Sequence, residues 1–233
     1  MSAQALVKPP AVVSRLVGVV ASRAALAGAA RLRRPPDFFE LRLDALRGSL
    51  GEVARTIPAL RAPLILTARH PREGGLGKLA TGARRTLLLR FLEHAAFVDL
   101  ELRSVRQFQP LLEELRRRHI GLIISYHNFR ETPPPGQLHR LTKSVAAFQP
   151  AIVKIATRTD TPAQLARLVS FFMESQGTAI PIAAMGMGKF GLASRQQLDR
   201  LGSALTYVAL AEANAEGQPT LSRLRRTRRA YIR

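Results

Sequence analysis

Eight short apolar, β-branched segments divide the sequence at near-regular intervals: "LVGVV" from residue 16, "FFELRL" from 38, "PLILTA" from 63, "FVDLEL" from 97, "GLIISY" from 121, "AIVKIA" from 151, "AIPIAA" from 179 and "LTYVAL" from 205. From the second onward their starts lie 24 to 34 residues apart, the length of a strand, a loop and a crossover helix. The intervening runs "ALRGSLGEVARTIPAL", "RRTLLLRFLEHAA", "VRQFQPLLEELRRR", "LHRLTKSVAAF" and "TPAQLARLVSFFME" carry apolar residues at helical period. Eight alternating βα units have one common closed solution. The pattern predicts an α/β fold, a (β/α)8 TIM barrel formed as a single catalytic domain over residues 1–233, closed by a helix from about Thr220 to Tyr231.

Composition narrows the chemistry. The chain has no cysteine, which removes disulfides, thiolate metal sites and thiol nucleophiles and suits a reducing cytoplasm. No run approaches the roughly 20 apolar residues of a membrane span, and no leader-like run opens the chain, so a cytoplasmic protein without membrane attachment is expected. The net charge of +20 could draw nucleic acid, but aromatic residues make up only 6% and tryptophan is missing, so stacking surfaces are poorly supplied. The densest basic runs, at 115–119 and 222–229, fall on amphipathic helices, where solvated arginines explain them.

A barrel places its chemistry at the C-terminal ends of its strands. There the sequence collects charge. In "FFELRLD" the charged Glu40, Arg42 and Asp44 alternate with apolar residues and share the inward face. Arg69 ends the third segment and Glu73 follows in a glycine-containing loop; Asp99 and Glu101 share a face of the fourth, and His127 ends the fifth. Lys154 interrupts the otherwise apolar "AIVKIATR", in a chain with five lysines against 31 arginines. Burying an ammonium without a partner is costly, and a lowered pKa that leaves a nucleophilic amine is one escape; a salt bridge to Asp99 or Glu101 is the other. A neutral amine beside a histidine whose ordinary pKa is about 6.5, amid arginines, points to imine chemistry on an anionic carbonyl compound. Residues alone lead to a Schiff-base lyase or aldolase. His70, His94, His119 and His139 fall in loops or helices and receive no role.

The ordered fragments "ELRLD", "LTARHPREGG", "SYHNF", "VKIAT", "MGMGKFGLASR" and "GSALTYVALAEANAEGQ" resemble type I 3-dehydroquinate dehydratase over about residues 16–220. The resemblance implies that Lys154 forms an imine with the C3 ketone of 3-dehydroquinate and that His127 is general acid and base in a syn loss of water giving 3-dehydroshikimate, with Glu73 assisting. It implies substrate contacts from Glu40, Arg42, Arg69, Met185, Met187, Asn214 and Gln218, carboxylate recognition by Arg195, no metal or organic cofactor, and a homodimer. Three positions depart from the family: Asn214 stands for a common serine, Glu216 for a proline in the same loop, and Tyr207 for a common phenylalanine. Two other readings compete. "GMGKFG" at 186–191, with Glu212 beyond it, matches a dinucleotide-binding pattern, but few residues remain for the further βα units that fold needs. A class I aldolase or transaldolase-like barrel would also use a strand lysine.

Overall fold

The computed structural model describes residues 14–231. Strands and helices alternate along the chain: β1 (Arg15–Val20), α1 (Arg23–Arg31), β2 (Phe38–Arg42), α2 (Leu50–Thr56), β3 (Leu64–Thr67), α3 (Thr81–Arg90), β4 (Ala95–Glu101), α4 (Gln109–Arg117), β5 (Gly121–Asn128), α5 (Pro135–Val145), β6 (Ile152–Arg158), α6 (Pro162–Glu174), β7 (Ile182–Met187), α7 (Gly191–Arg200), β8 (Leu205–Ala209) and α8 (Leu221–Tyr231). The strands form one parallel sheet in the order β7-β6-β5-β4-β3-β2-β1-β8. Its two edges meet where Ala204 N–H donates to Ile182 O at 2.9 Å and Ala184 N–H to Ser203 Oγ at 3.1 Å. The result is a nearly closed (β/α)8 barrel, as the spacing predicts.

Side-chain alternation divides the core into two layers. On β2, Phe39 and Leu41 join the outer layer between strands and helices, with Leu26, Val53, Leu88 and Phe108; on β6, Val153 and Ile155 do the same. The intervening positions face the barrel axis, where Val17, Ile65, Ile123, Ala183 and Leu205 fill the lower part. Each fully buried aliphatic or aromatic side chain contributes about 1.5–3 kcal/mol. Above that apolar floor the same inward rows carry Glu40 and Lys154, so the period-2 geometry that builds the barrel also aims the charges.

Several boundaries move. The seventh strand begins at Ile182 rather than 179, because Pro181 has no N–H for the ladder and supplies only its carbonyl, which accepts from Val153 N–H at 3.0 Å. The helical run over 84–96 stops at Arg90; Leu92–His94 form a 3₁₀ turn, and Ala95 and Ala96 open β4. The run over 45–60 contracts to α2 between two 3₁₀ turns. The last helix is placed as expected, and Thr220 Oγ1 accepts from Arg223 N–H at 3.2 Å at its start.

The glycines of "GMGKFG" have packing reasons. A Cβ on Gly186 would stand 2.4 Å from Ser194 Oγ, and one on Gly191 2.8 Å from Glu216 O. Gly188 has φ +87°, the left-handed region that favours glycine. These close approaches join β7, α7 and the loop after β8 within a barrel, which removes the dinucleotide-fold reading.

Candidate active site

The upper ends of β2 to β6 converge on a buried cluster of opposite charges. Arg69 Nη1 and Nη2 donate to Asp99 Oδ1 and Oδ2 at 3.0 and 2.7 Å, a bidentate match of planar groups. Nη1 also donates to Ser125 Oγ at 2.6 Å and to Glu101 Oε1 at 3.3 Å, while Ser125 Oγ donates to Asp99 Oδ1 at 2.6 Å. Glu40 Oε1 accepts from Thr67 Oγ1 at 2.9 Å. Burial opposes the charge of Asp99, but Arg69 and Lys154 outweigh it and hold this carboxyl well below the usual carboxylate range. Burial opposes the Arg69 charge too, yet Asp99 and Glu101 overcome it, so the guanidinium stays protonated.

Lys154 is not a partnerless amine. Its Nζ donates to Asp99 Oδ2 at 3.0 Å and to Glu40 Oε1 at 3.4 Å, and it stands 3.9 Å from the centroid of the Tyr207 ring. The Asp99 salt bridge expected as the alternative to a neutral amine is therefore formed, with Glu40 rather than Glu101 as the second carboxylate. Glu101 is engaged elsewhere: it accepts from His70 N–H at 2.8 Å, from Ser104 Oγ at 2.9 Å and from Arg84 Nη2. Arg84, fully buried on α3, also donates from Nε to Ala68 O at 2.6 Å and lies over the Phe108 ring at 5.2 Å. The sequence reading missed it. No apolar stripe marked it, because Leu87, Leu88 and Leu89 are consecutive; the structure alone shows Arg84 and Leu88 buried one helical turn apart.

His127 sits two residues beyond Ser125 on β5, the residue paired with Lys154 in the ladder. Glu73, from the loop after β3, reaches across to it: Glu73 Oε2 lies 2.9 Å from His127 Nδ1 and accepts from His127 N–H at 3.2 Å, and Arg103 Nε donates to Oε1 at 2.9 Å. Burial, then the charges of Arg69 and Lys154, push the imidazole well below its ordinary value. Burial, then the negative charge of Glu101, raises the Glu73 carboxyl to about 7. With Glu73 ionised, Nδ1–H donates to it and Nε2 carries the lone pair. This is a base whose tautomer is set by its neighbour.

Charged groups also shape the mouth. Arg42 donates to Asp44 Oδ1 and Oδ2 at 3.0 and 2.8 Å and to Gly74 O at 2.9 Å. Asp44 lies past the end of β2 rather than on it, and takes Arg69 N–H at 3.1 Å and Leu76 N–H at 2.9 Å, so it braces the β3 loop. On the far wall are Met185 and Met187 of β7 and Arg195 of α7, all buried. Asn214 and Gln218 come from the loop after β8, tied by Asn214 N–H donating to Gln218 Oε1 at 2.8 Å. Glu216, in the proline position of the family, pairs with Arg158 at 3.3 Å. All eleven residues to which the family resemblance gives a role, from Glu40 to Gln218, line one cavity together with Tyr207, whereas Asp44, Asp99 and Glu101 lie behind its wall.

A larger cavity of about 450 Å³ opens at the opposite barrel end, where Phe38, Phe97, Ile152 and Leu205 lie; Arg15 is its one charged lining residue among those described. It offers neither an acid–base pair nor a nucleophile. Among the described residues no cluster of three or more His, Cys, Asp or Glu is arranged to hold a metal ion.

Residues 17–231 match the family model described as type I 3-dehydroquinase. The 3-dehydroquinate dehydratase of Pyrococcus abyssi is 34% identical over 190 residues, covering 81% of this chain and 85% of that protein. That of Thermococcus onnurineus is 30% identical over 213 residues, covering 91% and 95%. Among solved structures, the 3-dehydroquinate dehydratase of Geobacillus kaustophilus superposes with a TM-score of 0.84 at 24% identity over 94% of this chain and 93% of that one. That of Aquifex aeolicus gives 0.77 at 27% identity over 94% and 99%.

Proposed function

The chain belongs to the type I 3-dehydroquinase family, and from that premise we propose how its own side chains carry out the dehydration of 3-dehydroquinate, a hydro-lyase reaction of the shikimate pathway. The observation that carries the proposal is the placement of the Lys154 amine against Asp99, Glu40 and the Tyr207 ring, on the same cavity as the His127–Glu73 pair.

Lys154 Nζ, once deprotonated, attacks the C3 carbonyl; the carbinolamine loses water, and a protonated imine remains. That imine withdraws electrons from the adjacent C–H bond, whose proton passes to His127 Nε2. The resulting enamine expels the hydroxyl of the next carbon, and His127 returns the proton so that water leaves. Removal and return by one group make the loss syn. Addition of water to the product imine then frees 3-dehydroshikimate and the lysine. The positive charge of the imine sits where the ammonium was, so Asp99 and Glu40 stabilise both without rearrangement. Arg42, Arg69, Met185, Met187, Asn214 and Gln218 are assigned to holding the substrate, and Arg195 to its carboxylate.

Replacing His127 with alanine is expected to lower kcat by about two orders of magnitude, the usual worth of a positioned general base. Because Lys154 is left in place, borohydride should still trap an adduct in this variant. Equal loss of trapping and turnover would instead assign His127 to imine formation alone.

Glu73 makes a pH prediction. Below about 7 its carboxyl is protonated and can donate to Nδ1, which moves the imidazole proton to Nε2 and removes the base. So kcat/KM is expected to rise with pH through an apparent pKa near 7 that belongs to the pair. In Glu73→Gln this limb should disappear from the kcat/KM profile, while the rate at pH 8 falls about tenfold from lost orientation. An unchanged limb would detach Glu73 from the histidine.

The test of the function is incubation with 3-dehydroquinate and sodium borohydride, followed by intact mass and peptide mapping. A single reduced adduct on Lys154, with loss of activity, supports the scheme; a modification elsewhere overturns it. A class I aldolase reading predicts carbon–carbon cleavage products, which the same incubation would reveal. We further propose a single catalytic domain over 1–233, a homodimer and a cytoplasmic location without nucleic-acid binding. Family membership supports these assignments. No described helix is long and apolar enough to cross a membrane. Light scattering should return twice the 25.6 kDa chain mass.

A further inference from the structure

We propose that the Tyr207 hydroxyl is a further substrate-binding group, which forms with Arg195 Nε a two-donor receptor for one carboxylate of the bound substrate; the proposal rests on the reading of this cavity as the substrate site. Among the described residues, two buried side-chain polar atoms have no hydrogen-bond partner, Arg195 Nε and Tyr207 Oη. Both residues line the same cavity and both are 3% exposed. A buried, unpaired donor costs free energy comparable to a lost hydrogen bond, so two of them on residues that line one cavity call for a shared acceptor.

The surroundings show why neither atom is served by the protein. Arg195 Nη1 donates to Tyr207 O at 3.4 Å and to Met185 Sδ at 3.5 Å, which leaves Nε over. Burial lowers this guanidinium to about 10, and no carboxylate offsets that among the described residues, although it stays charged at neutral pH. Tyr207 offers its ring to Lys154, a contact that leaves its hydroxyl without a partner. Burial, then the charges of Glu40 and Asp99, hold its proton far above the ordinary phenol range, so the hydroxyl remains a donor. Asp99 and Glu40 already receive Arg69 and Lys154. Two donors and one buried, uncompensated cation fit an acceptor that brings negative charge and more than one lone pair. A carboxylate meets both demands, whereas a hydroxyl of the substrate meets only the second.

Tyr207→Phe removes the oxygen and keeps the ring beneath Lys154. The unliganded variant is expected to melt at the same temperature as the parent or higher, since an unpaired buried hydroxyl is lost. KM should rise about tenfold more than kcat falls, the size of one charge-assisted hydrogen bond. A merely structural tyrosine would lower the melting temperature and leave KM alone. The sharing is tested by a double-mutant cycle with Arg195→Lys, which keeps the charge but removes Nε, read as affinity for 3-dehydroshikimate. Effects that fall short of additive support one receptor; strictly additive effects, or a Tyr207→Phe variant with unchanged KM, overturn it. Borohydride trapping separates this from the parent reading. If the unmodified protein gives no Lys154 adduct, the site assignment itself fails. If both proteins are trapped equally and KM does not move, only the Tyr207 proposal falls.

Discussion

Lys154→Ala is expected to lower kcat by about 10⁴-fold or more and to abolish borohydride trapping, because no other described group can supply a strand-borne amine to the carbonyl. The structural consequence should be much smaller. Asp99 keeps the bidentate Arg69 contact and the Ser125 hydroxyl, and Glu40 keeps Thr67, so neither carboxylate is stranded. The cluster is left one cation short, but Lys154 lines the cavity and solvent can take the place of its ammonium, so the loss should cost about 1–3 kcal/mol of stability, visible in urea unfolding without loss of the fold. The contrast between a folded protein and a near-complete loss of turnover is the informative result. A variant retaining more than about a tenth of the parental rate would show that the Asp99–Lys154–Glu40 contact is an ion pair of the core and that the carbonyl is activated by other means. Lys154→Arg should be as inactive as the alanine variant, since its guanidinium keeps charge but has no nucleophilic lone pair.

The same lysine shows what could be read before the structure. A charged residue in a wholly apolar strand is conspicuous, and its inward direction follows from alternation with Val153 and Ile155, which pack outward. Glu40 was legible for the same reason, between Phe39 and Leu41. Its partner could not be chosen in advance. Both Asp99 and Glu101 occupy inward positions of β4, and whether Lys154 or an arginine takes each depends on the barrel's stagger, which brings Asp99 opposite Ile123 and Lys154 opposite Ser125. The placement of Asp44 beyond β2 was likewise hidden, because sequence alternation continues past the last paired residue, Arg42. The unpaired Tyr207 hydroxyl is a property of what surrounds it, so only coordinates reveal it. Tyr207 drew notice in the sequence as an exchange for phenylalanine, which marked the position without indicating its contacts.

Arg84 is the deepest omission, and it carries the second large expected effect: Arg84→Leu should destabilise the fold by about 3–5 kcal/mol. On the sequence it sits in "GARRTLLLR", where an arginine reads as one more solvated charge in a basic chain. In the structure it is fully buried, and its Nη2 contacts Glu101 Oε2 beneath the site. The ion pairs join Glu40, Asp99 and Glu101 to Lys154, Arg69 and Arg84, so the positive and negative charges balance. Leucine in place of Arg84 fills most of the volume but leaves one more carboxylate than cations, and the unpaired charge falls on Glu101, which is fully buried and does not line the cavity. Arg69 would then be drawn toward Glu101, to which Nη1 already donates at 3.3 Å, and away from its two-pronged hold on Asp99. Activity should fall with stability for that reason, although Arg84 touches no substrate. The control is Arg84→Leu combined with Glu101→Leu, which removes both charges and should recover a large part of the lost stability, since a buried ion pair is worth far less than the penalty for breaking it. Urea unfolding at neutral pH reads both effects. If the single variant loses less than about 1 kcal/mol, Glu101 is satisfied by Arg69, Ser104 and the His70 backbone. In that case the charge balance would not be what holds the floor of the site. If instead the double variant is no more stable than the single, the arginine acts through its contacts with Ala68 and Phe108 rather than through its charge.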